Sequence, residues 1–242
     1  MYIFFLILLI LYFAIYPLII KAWRRKTPLD LNLLTENEKI RFWIKNMTFI
    51  WGITLVILVL CLFAGIGLYD IGFREIRLSQ NIWFTSITLA LCGLFVVILI
   101  CKMIADLVSP KYRAKQKEEL ANDTLNKVQI STFPRSKRER ITHIFTSITA
   151  GVCEEIIFRG FLIFLLQAAF PNMPISLVLV ISSIIFGCGH AYQGFLGGVT
   201  RTTITGIILG SLFLVTNSLI LPMLLHFIFN ISDMFSLAED IK

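Results

Sequence analysis

Apolar residues of this chain are grouped into long runs that are separated by short charged segments. A helix rises 1.5 Å per residue, so about 20 apolar residues are needed to cross a hydrocarbon core of roughly 30 Å. By this measure the sequence predicts seven membrane-spanning helices, at residues 2–20, 47–69, 83–101, 143–169, 175–190, 196–214 and 218–236. The predicted fold class is therefore an all-α, polytopic membrane helix bundle.

Basic residues are concentrated in two of the connecting segments. Residues 21–46 hold seven Lys or Arg and residues 102–140 hold ten, whereas residues 70–82 hold two. Because cytoplasmic loops carry an excess of Lys and Arg, both basic segments are predicted to be cytoplasmic. The N-terminus is then outside. Residues 1–140 form about three N-terminal membrane helices with basic loops, and residues 237–242 form a short cytoplasmic tail.

Composition supports the same class. Of the 242 residues 57% are hydrophobic and 15% are charged, with a mean hydropathy of +0.83. A soluble domain usually carries about 25% charged residues, so a water-soluble enzyme is excluded. The net charge of +7 is accounted for by the basic loops and does not indicate a nucleic-acid partner. The predicted partner is the lipid bilayer, and the predicted location is the cell membrane.

Three charged residues lie inside the fourth predicted span. It contains Glu154, Glu155 and Arg159, and each charge costs about 2.5–3.5 kcal/mol at a helix centre. Glu155 and Arg159 are four residues apart, so they share a helical face and can neutralise each other. Glu154 lies about 100° round the helix and has no local partner. One carboxylate is therefore predicted to be available for chemistry.

The fifth and seventh spans each carry a histidine with a companion one helical turn away. These pairs are Phe186 with His190 and His226 with Asn230. Counted along the helices, Glu154 and His226 lie roughly 17 and 18 Å from the cytoplasmic side, and His190 lies at roughly 8 Å. A carboxylate and two imidazoles can activate water for peptide hydrolysis, or they can ligate zinc. The HExxH zinc motif is absent from the sequence.

These residues together resemble the three motifs of the CPBP family, which comprises CAAX proteases and bacteriocin-processing proteins and is also called Abi. The motifs are Glu154-Glu155-xxx-Arg159, Phe186-xxx-His190 and His226-xxx-Asn230, and His190-Ala-Tyr-Gln-Gly194 is similar to the family's bacterial branch. The resemblance covers about residues 141–236, which would form the protease core.

The resemblance implies an intramembrane endopeptidase. Glu154 and His190 would activate the attacking water, His226 and Asn230 would form the oxyanion site, and Glu155, Arg159 and Phe186 would support them. It leaves the cofactor open between a divalent metal such as zinc, held by Glu154, His190 and His226, and a metal-free glutamate mechanism. The implied substrates are peptide precursors, among them bacteriocins or pheromones, or membrane-associated proteins, with a link to bacteriocin self-immunity.

Two other functions are compatible with a membrane bundle. A catalytically silent scaffold that regulates a partner protein would be expected to lack a motif residue, and none is missing here. A small transporter could use intramembrane Glu and His residues as a proton relay, but the sequence shows no repeated half. The substrate and the oligomeric state are not indicated by the sequence.

Overall fold

A computed structural model describes residues 35–115, 134–191 and 195–236 of the protein. The described residues are helical and include no strand, which confirms the all-α prediction. The helices are α1 (Glu36–Phe63), α2 (Ile82–Val108), α3 (Lys137–Glu155), α4 (Ile163–Ala169), α5 (Ile175–Gly189), α6 (Arg201–Thr216) and α7 (Ile220–Ser236), with π-helical segments at Ile156–Leu162 and Phe195–Thr200. The predicted span 2–20, the tail 237–242 and residues 192–194 of the second motif lie outside the described residues.

Three helices in the described ranges are long and apolar enough to cross a membrane. They are α1, α2 and the run Gly198–Thr216, while Ile175–Gly189 and Ile220–Ser232 are shorter apolar helices. A multi-pass membrane protein is therefore supported. The count of seven spans and the external N-terminus stay predictions.

The helix that contains the second predicted span, 47–69, starts before the span and ends before residue 69, so the predicted end is wrong. The helix begins at Glu36, because a capping box between Thr35 and Glu38 starts it within the basic segment. It ends at Phe63, and Gly65 follows with a φ of 70° that ends the helical path. Hydropathy alone detects the apolar middle of this helix and misses its polar first part.

The fourth predicted span is one continuous helical path that starts earlier than predicted. A second capping box, between Ser136 and Glu139, begins α3 at Lys137. At Ile156 the path widens into a π-helical segment, and α4 continues it to Ala169. The π-helical segment is buried along its whole length, and the hydroxyl of Ser182 on α5 donates to the carbonyl of Phe158 at 2.9 Å. Segments of this type often occur at functional sites.

The loop between α1 and α2 packs onto the π-helical segment. Ile71 is fully buried, and a Cβ on Gly160 would lie 2.5 Å from the Ile71 carbonyl oxygen, so glycine is required for this approach. Gly72 has a φ of 95° and sits against Phe213 and Leu219. The loop thereby closes the end of the bundle at which α6 and α7 are joined.

Small residues bring α5 and α6 together, as the spacing of Gly206 and Gly210 predicts. A Cβ on Gly206 would lie 3.1 Å from Cβ of Ser183, and one on Gly210 would lie 2.4 Å from Cδ1 of Leu179. This contact holds α5, which ends just before His190, beside α6.

The predicted orientation can be tested with reporter fusions. A reporter fused after Arg140 is expected to be cytoplasmic, and one inserted at Asn172, in the turn between α4 and α5, is expected to be external. Compartment-specific enzyme activity of the reporter measures both positions. An external reporter at Arg140 would contradict the predicted topology.

Candidate active site

Glu154, His190 and His226 converge on one point. Glu154 comes from the end of α3, His190 directly follows α5, and His226 lies in α7. Oε2 of Glu154 is 3.9 Å from Nε2 of His190 and 3.8 Å from Nε2 of His226. The side chains of Glu154 and His190 are 17% and 18% exposed, so the group is partly accessible. The depth estimate from the sequence placed His190 nearer the cytoplasmic side than the other two residues, and it allowed one shared site without establishing it.

Both imidazoles are anchored through their other ring nitrogen. Nδ1 of His190 lies 2.9 Å from the carbonyl oxygen of Phe186, and Nδ1 of His226 lies 2.7 Å from Oε1 of Glu155. A carbonyl and an ionised carboxylate only accept hydrogen bonds, so each Nδ1 carries a proton and donates it. In the neutral form each Nε2 is then an acceptor that faces Glu154.

Glu154 is the unpaired carboxylate of the site. Its Oε2 atom is buried and makes no hydrogen bond among the described residues, and both facing nitrogens lie beyond hydrogen-bond distance. Glu154 Oε2 and the two Nε2 atoms that face it are thus three acceptor atoms. Polar atoms at such a separation are commonly bridged by a water molecule.

Glu155 has a different environment from its neighbour. It is fully buried, and its Oε1 accepts from Nη1 of Arg159 at 2.8 Å as well as from His226. The predicted pairing of Glu155 with Arg159 is therefore confirmed. The sequence did not predict the bond to His226, since these residues are 71 positions apart and no local spacing reports it.

Phe186 lies between the charged and imidazole groups. The guanidinium of Arg159 sits over its ring at 4.2 Å, and its ring centroid is 4.9 Å from that of His190 and 6.0 Å from that of His226. The Phe186 side chain is 1% exposed. One aromatic ring therefore packs against both imidazoles and a buried cation, which restricts the rotamers of both histidines.

Asn230 lies one helical turn beyond His226 on α7 and is partly buried. No side-chain hydrogen bond to it is present among the residues that the structure describes. Gly151 allows α7 to approach α3 closely, because a Cβ there would lie 3.1 Å from the Met223 carbonyl oxygen. The amide is thus on the helix that packs directly on the Glu154 helix.

The donor set has the right chemistry for zinc but the wrong spacing. Zinc binds nitrogen and oxygen ligands at about 2.0–2.2 Å, so ligand atoms at a tetrahedral angle lie about 3.4 Å apart. The Glu154 to imidazole distances of 3.8 and 3.9 Å are wider. Within the described ranges, no group of three His, Cys, Asp or Glu side chains is arranged to hold a metal ion. These residues therefore do not fit a tetrahedral zinc ion as they stand.

Residues 138–232 match the family model described as Rce1-like, type II CAAX prenyl endopeptidase Rce1-like. This segment is CPBP-like. The resemblance predicted from the three motifs is confirmed, and all seven motif residues lie within the match. At the family level the match supports a CAAX-protease-like intramembrane endopeptidase. No curated protein and no solved structure matches the chain.

Proposed function

We propose that the protein is an intramembrane endopeptidase in which Glu154 is the general base. The observation that carries the proposal is the position of Glu154 Oε2, which makes no hydrogen bond within the described part of the chain and faces the two Nε2 atoms of His190 and His226. A base must lie within reach of the proton that it removes, directly or through one water. A water held among these three atoms meets that requirement.

In the proposed reaction Glu154 takes one proton from this water while the water oxygen attacks the carbonyl carbon of a peptide bond. The resulting tetrahedral intermediate carries the negative charge on the former carbonyl oxygen. As the C–N bond breaks, Glu154 returns the proton to the leaving nitrogen. The products are a free amine and a carboxylic acid, which then releases its proton to water, so one water is consumed for each bond that is cleaved.

Asn230 is proposed to donate its amide N–H to the oxyanion, a role worth about 2.7–4 kcal/mol at comparable sites. His226 can assist only when it is doubly protonated, because its Nδ1 proton is committed to Glu155. Glu155 and Arg159 are proposed to hold His226 in this orientation, and Phe186 is proposed to hold both rings. His190 is proposed to help hold the attacking water through its Nε2 atom.

The proposed substrates are peptide precursors or the ends of membrane-associated proteins. The description of the matching family names CAAX prenyl endopeptidases, so a prenylated C-terminal peptide is the first probe and the same peptide without its prenyl group is the second. The cellular processes included in this proposal are bacteriocin or pheromone processing and bacteriocin self-immunity. Cleavage of both peptides at similar rates would favour this broader peptide class.

A catalytic role is favoured over a silent scaffold, because no motif residue is missing and Glu154 faces His190 and His226 at 3.9 and 3.8 Å. A transporter would need a polar path from one membrane face to the other. The loop that carries Ile71 instead packs over one end of the bundle. The scaffold alternative does not account for a carboxylate that faces two anchored imidazoles.

The proposal is tested with purified protein in liposomes and the two probe peptides in water enriched in ¹⁸O. Hydrolysis places one ¹⁸O atom in the new C-terminal carboxylate, which mass spectrometry detects. A scaffold or a transporter leaves both peptides intact. Intact peptides with folded protein would contradict the peptidase proposal for this substrate class.

Removal of divalent metals is expected to leave cleavage unchanged, because the spacing around Glu154 does not fit zinc. The measurement is the initial cleavage rate before and after dialysis against a strong chelator, with metal content determined on the same samples. A loss of activity that zinc restores would show that the site closes around a metal, and it would contradict the metal-free mechanism.

A further inference from the structure

Helix α1 lies outside the matched segment and packs along α3, the helix that ends at the motif glutamates. Both helices begin at a capping box, and successive contacts show that they run parallel. The contacts, in order along both helices, are Lys39 with Glu139, Trp43 with His143, Trp51 with Thr149 and Thr54 with Cys153. We call this set the α1–α3 ladder.

The first two contacts join the beginnings of the helices. Nζ of Lys39 lies 3.7 Å from Oε1 of Glu139, and both side chains are almost completely buried. The ring of Trp43 meets that of His143 edge to face, with centroids 6.3 Å apart. A buried ion pair has a defined geometry and therefore fixes the register of two helices better than apolar contacts do.

The last two contacts lie close to the candidate active site. The indole Nε1–H of Trp51 donates to Oγ1 of Thr149 at 3.2 Å, five residues before Glu154. Cys153 lies beside Thr54, and both residues are fully buried. Cys153 directly precedes Glu154 in the chain.

Such contacts restrain rotation as well as distance. Leu-rich helix surfaces in a membrane can slide and turn against each other, whereas a hydrogen bond between two side chains is lost when one helix rotates. Glu154 faces the two histidines, so a turn of α3 about its axis would move its carboxylate relative to both Nε2 atoms.

We propose that Trp51 and Thr54 are positioning residues that set the rotation of α3 and thereby aim Glu154 at His190 and His226. This inference rests on the proposed function. It adds residues of α1, a helix that the family match does not cover, to the residues that position the catalytic groups. The ladder acts through α3, and neither residue touches the reacting atoms.

The test uses Trp51→Phe, which removes the N–H and keeps a ring, and Thr54→Val, which removes the hydroxyl and keeps the branched shape. Each variant is expected to lower kcat by about threefold to tenfold, the effect of one hydrogen bond, while KM and the melting temperature stay near those of the parent. The probe is the prenylated peptide. A fall in melting temperature with unchanged kcat per folded molecule would show a merely structural role and overturn the proposal.

Thr48→Val is the matched control. Thr48 lies on the same helix and, like Thr54, donates to the carbonyl four residues earlier at 2.9 Å, but its side chain is exposed and has no contact with α3 among the described residues. Its kcat is expected to equal that of the parent. The double variant Trp51→Phe/Thr149→Val should have a kcat no lower than that of either single variant, because both substitutions remove the same hydrogen bond.

A second readout does not need a substrate. The chain has three histidines, so ¹⁵N-histidine NMR spectra of the detergent-solubilised protein can be assigned by single substitutions. The Nε2 shifts of His190 and His226 are expected to change in Thr54→Val and to stay the same in Thr48→Val. Unchanged Nε2 chemical shifts in Thr54→Val would overturn the positioning role. If these shifts change but the parent protein does not cleave the peptide, the result counts against the proposed function only.

Discussion

Replacement of Glu154 with glutamine is expected to lower peptide cleavage by about 10² or more while the amount of folded protein stays the same. Glutamine keeps the volume and removes the basicity. Because Glu154 Oε2 has no hydrogen-bond partner among the described residues, the substitution breaks no pair and leaves no buried cation without a counter-ion. The loss should therefore appear in kcat and not in stability.

The measurement is the initial cleavage rate per mole of folded protein, together with immunoblot levels and the melting temperature. Glu154→Asp is the companion variant, since it keeps a carboxylate and withdraws it by one methylene group. It should retain more activity than the glutamine variant if basicity is what matters. Full activity of Glu154→Gln would exclude Glu154 as the base, and full cellular function without cleavage would favour the scaffold.

The fold class could be predicted from the sequence because spanning helices need long apolar runs, and these runs are unambiguous in this chain. The start of α1 could not be predicted in the same way. Residues 36–46 are polar and basic, and hydropathy assigns them to a loop, yet Lys39 is buried there against Glu139. The partner lies 100 residues away, so hydropathy could not predict this contact, although the capping box of Thr35 and Glu38 marks the helix start locally.

Those contacts of the candidate site that join residues close together in the sequence could be predicted. Glu155 with Arg159 has a four-residue spacing, and the structure confirms this contact. Contacts between side chains on different helices could not be predicted from the residue spacing. Examples are the bond from His226 to Glu155, the position of the Phe186 ring among three charged or imidazole groups, and the spacing that disfavours zinc. They depend on helix rotation, which hydrophobic periodicity does not determine.

Glu155→Gln is expected to behave differently from the change at Glu154, although the two residues are adjacent. Arg159 is 1% exposed and Glu155 is fully buried, so loss of the carboxylate charge leaves a buried guanidinium without its counter-ion. Breaking a buried pair in this way costs about 3–5 kcal/mol. The carbonyl of the new amide can still accept from His226, but the charge-assisted bond is lost. Reduced protein level, a lower melting temperature and reduced activity should therefore occur together.

Glu75→Gln is the matched control, since it removes the same charge from an ion pair with Arg77 whose side chains are 64% and 70% exposed. Exposed pairs contribute little to stability, so its level, melting temperature and activity should equal those of the parent. A stable Glu155→Gln protein would show that Arg159 does not depend on this carboxylate. A third outcome is that Glu154→Gln and Glu155→Gln both lose activity while the protein level stays the same. Glu155 would then act on the reaction and not on the fold, and the assignment of Glu154 as base and Glu155 as positioning residue would be wrong.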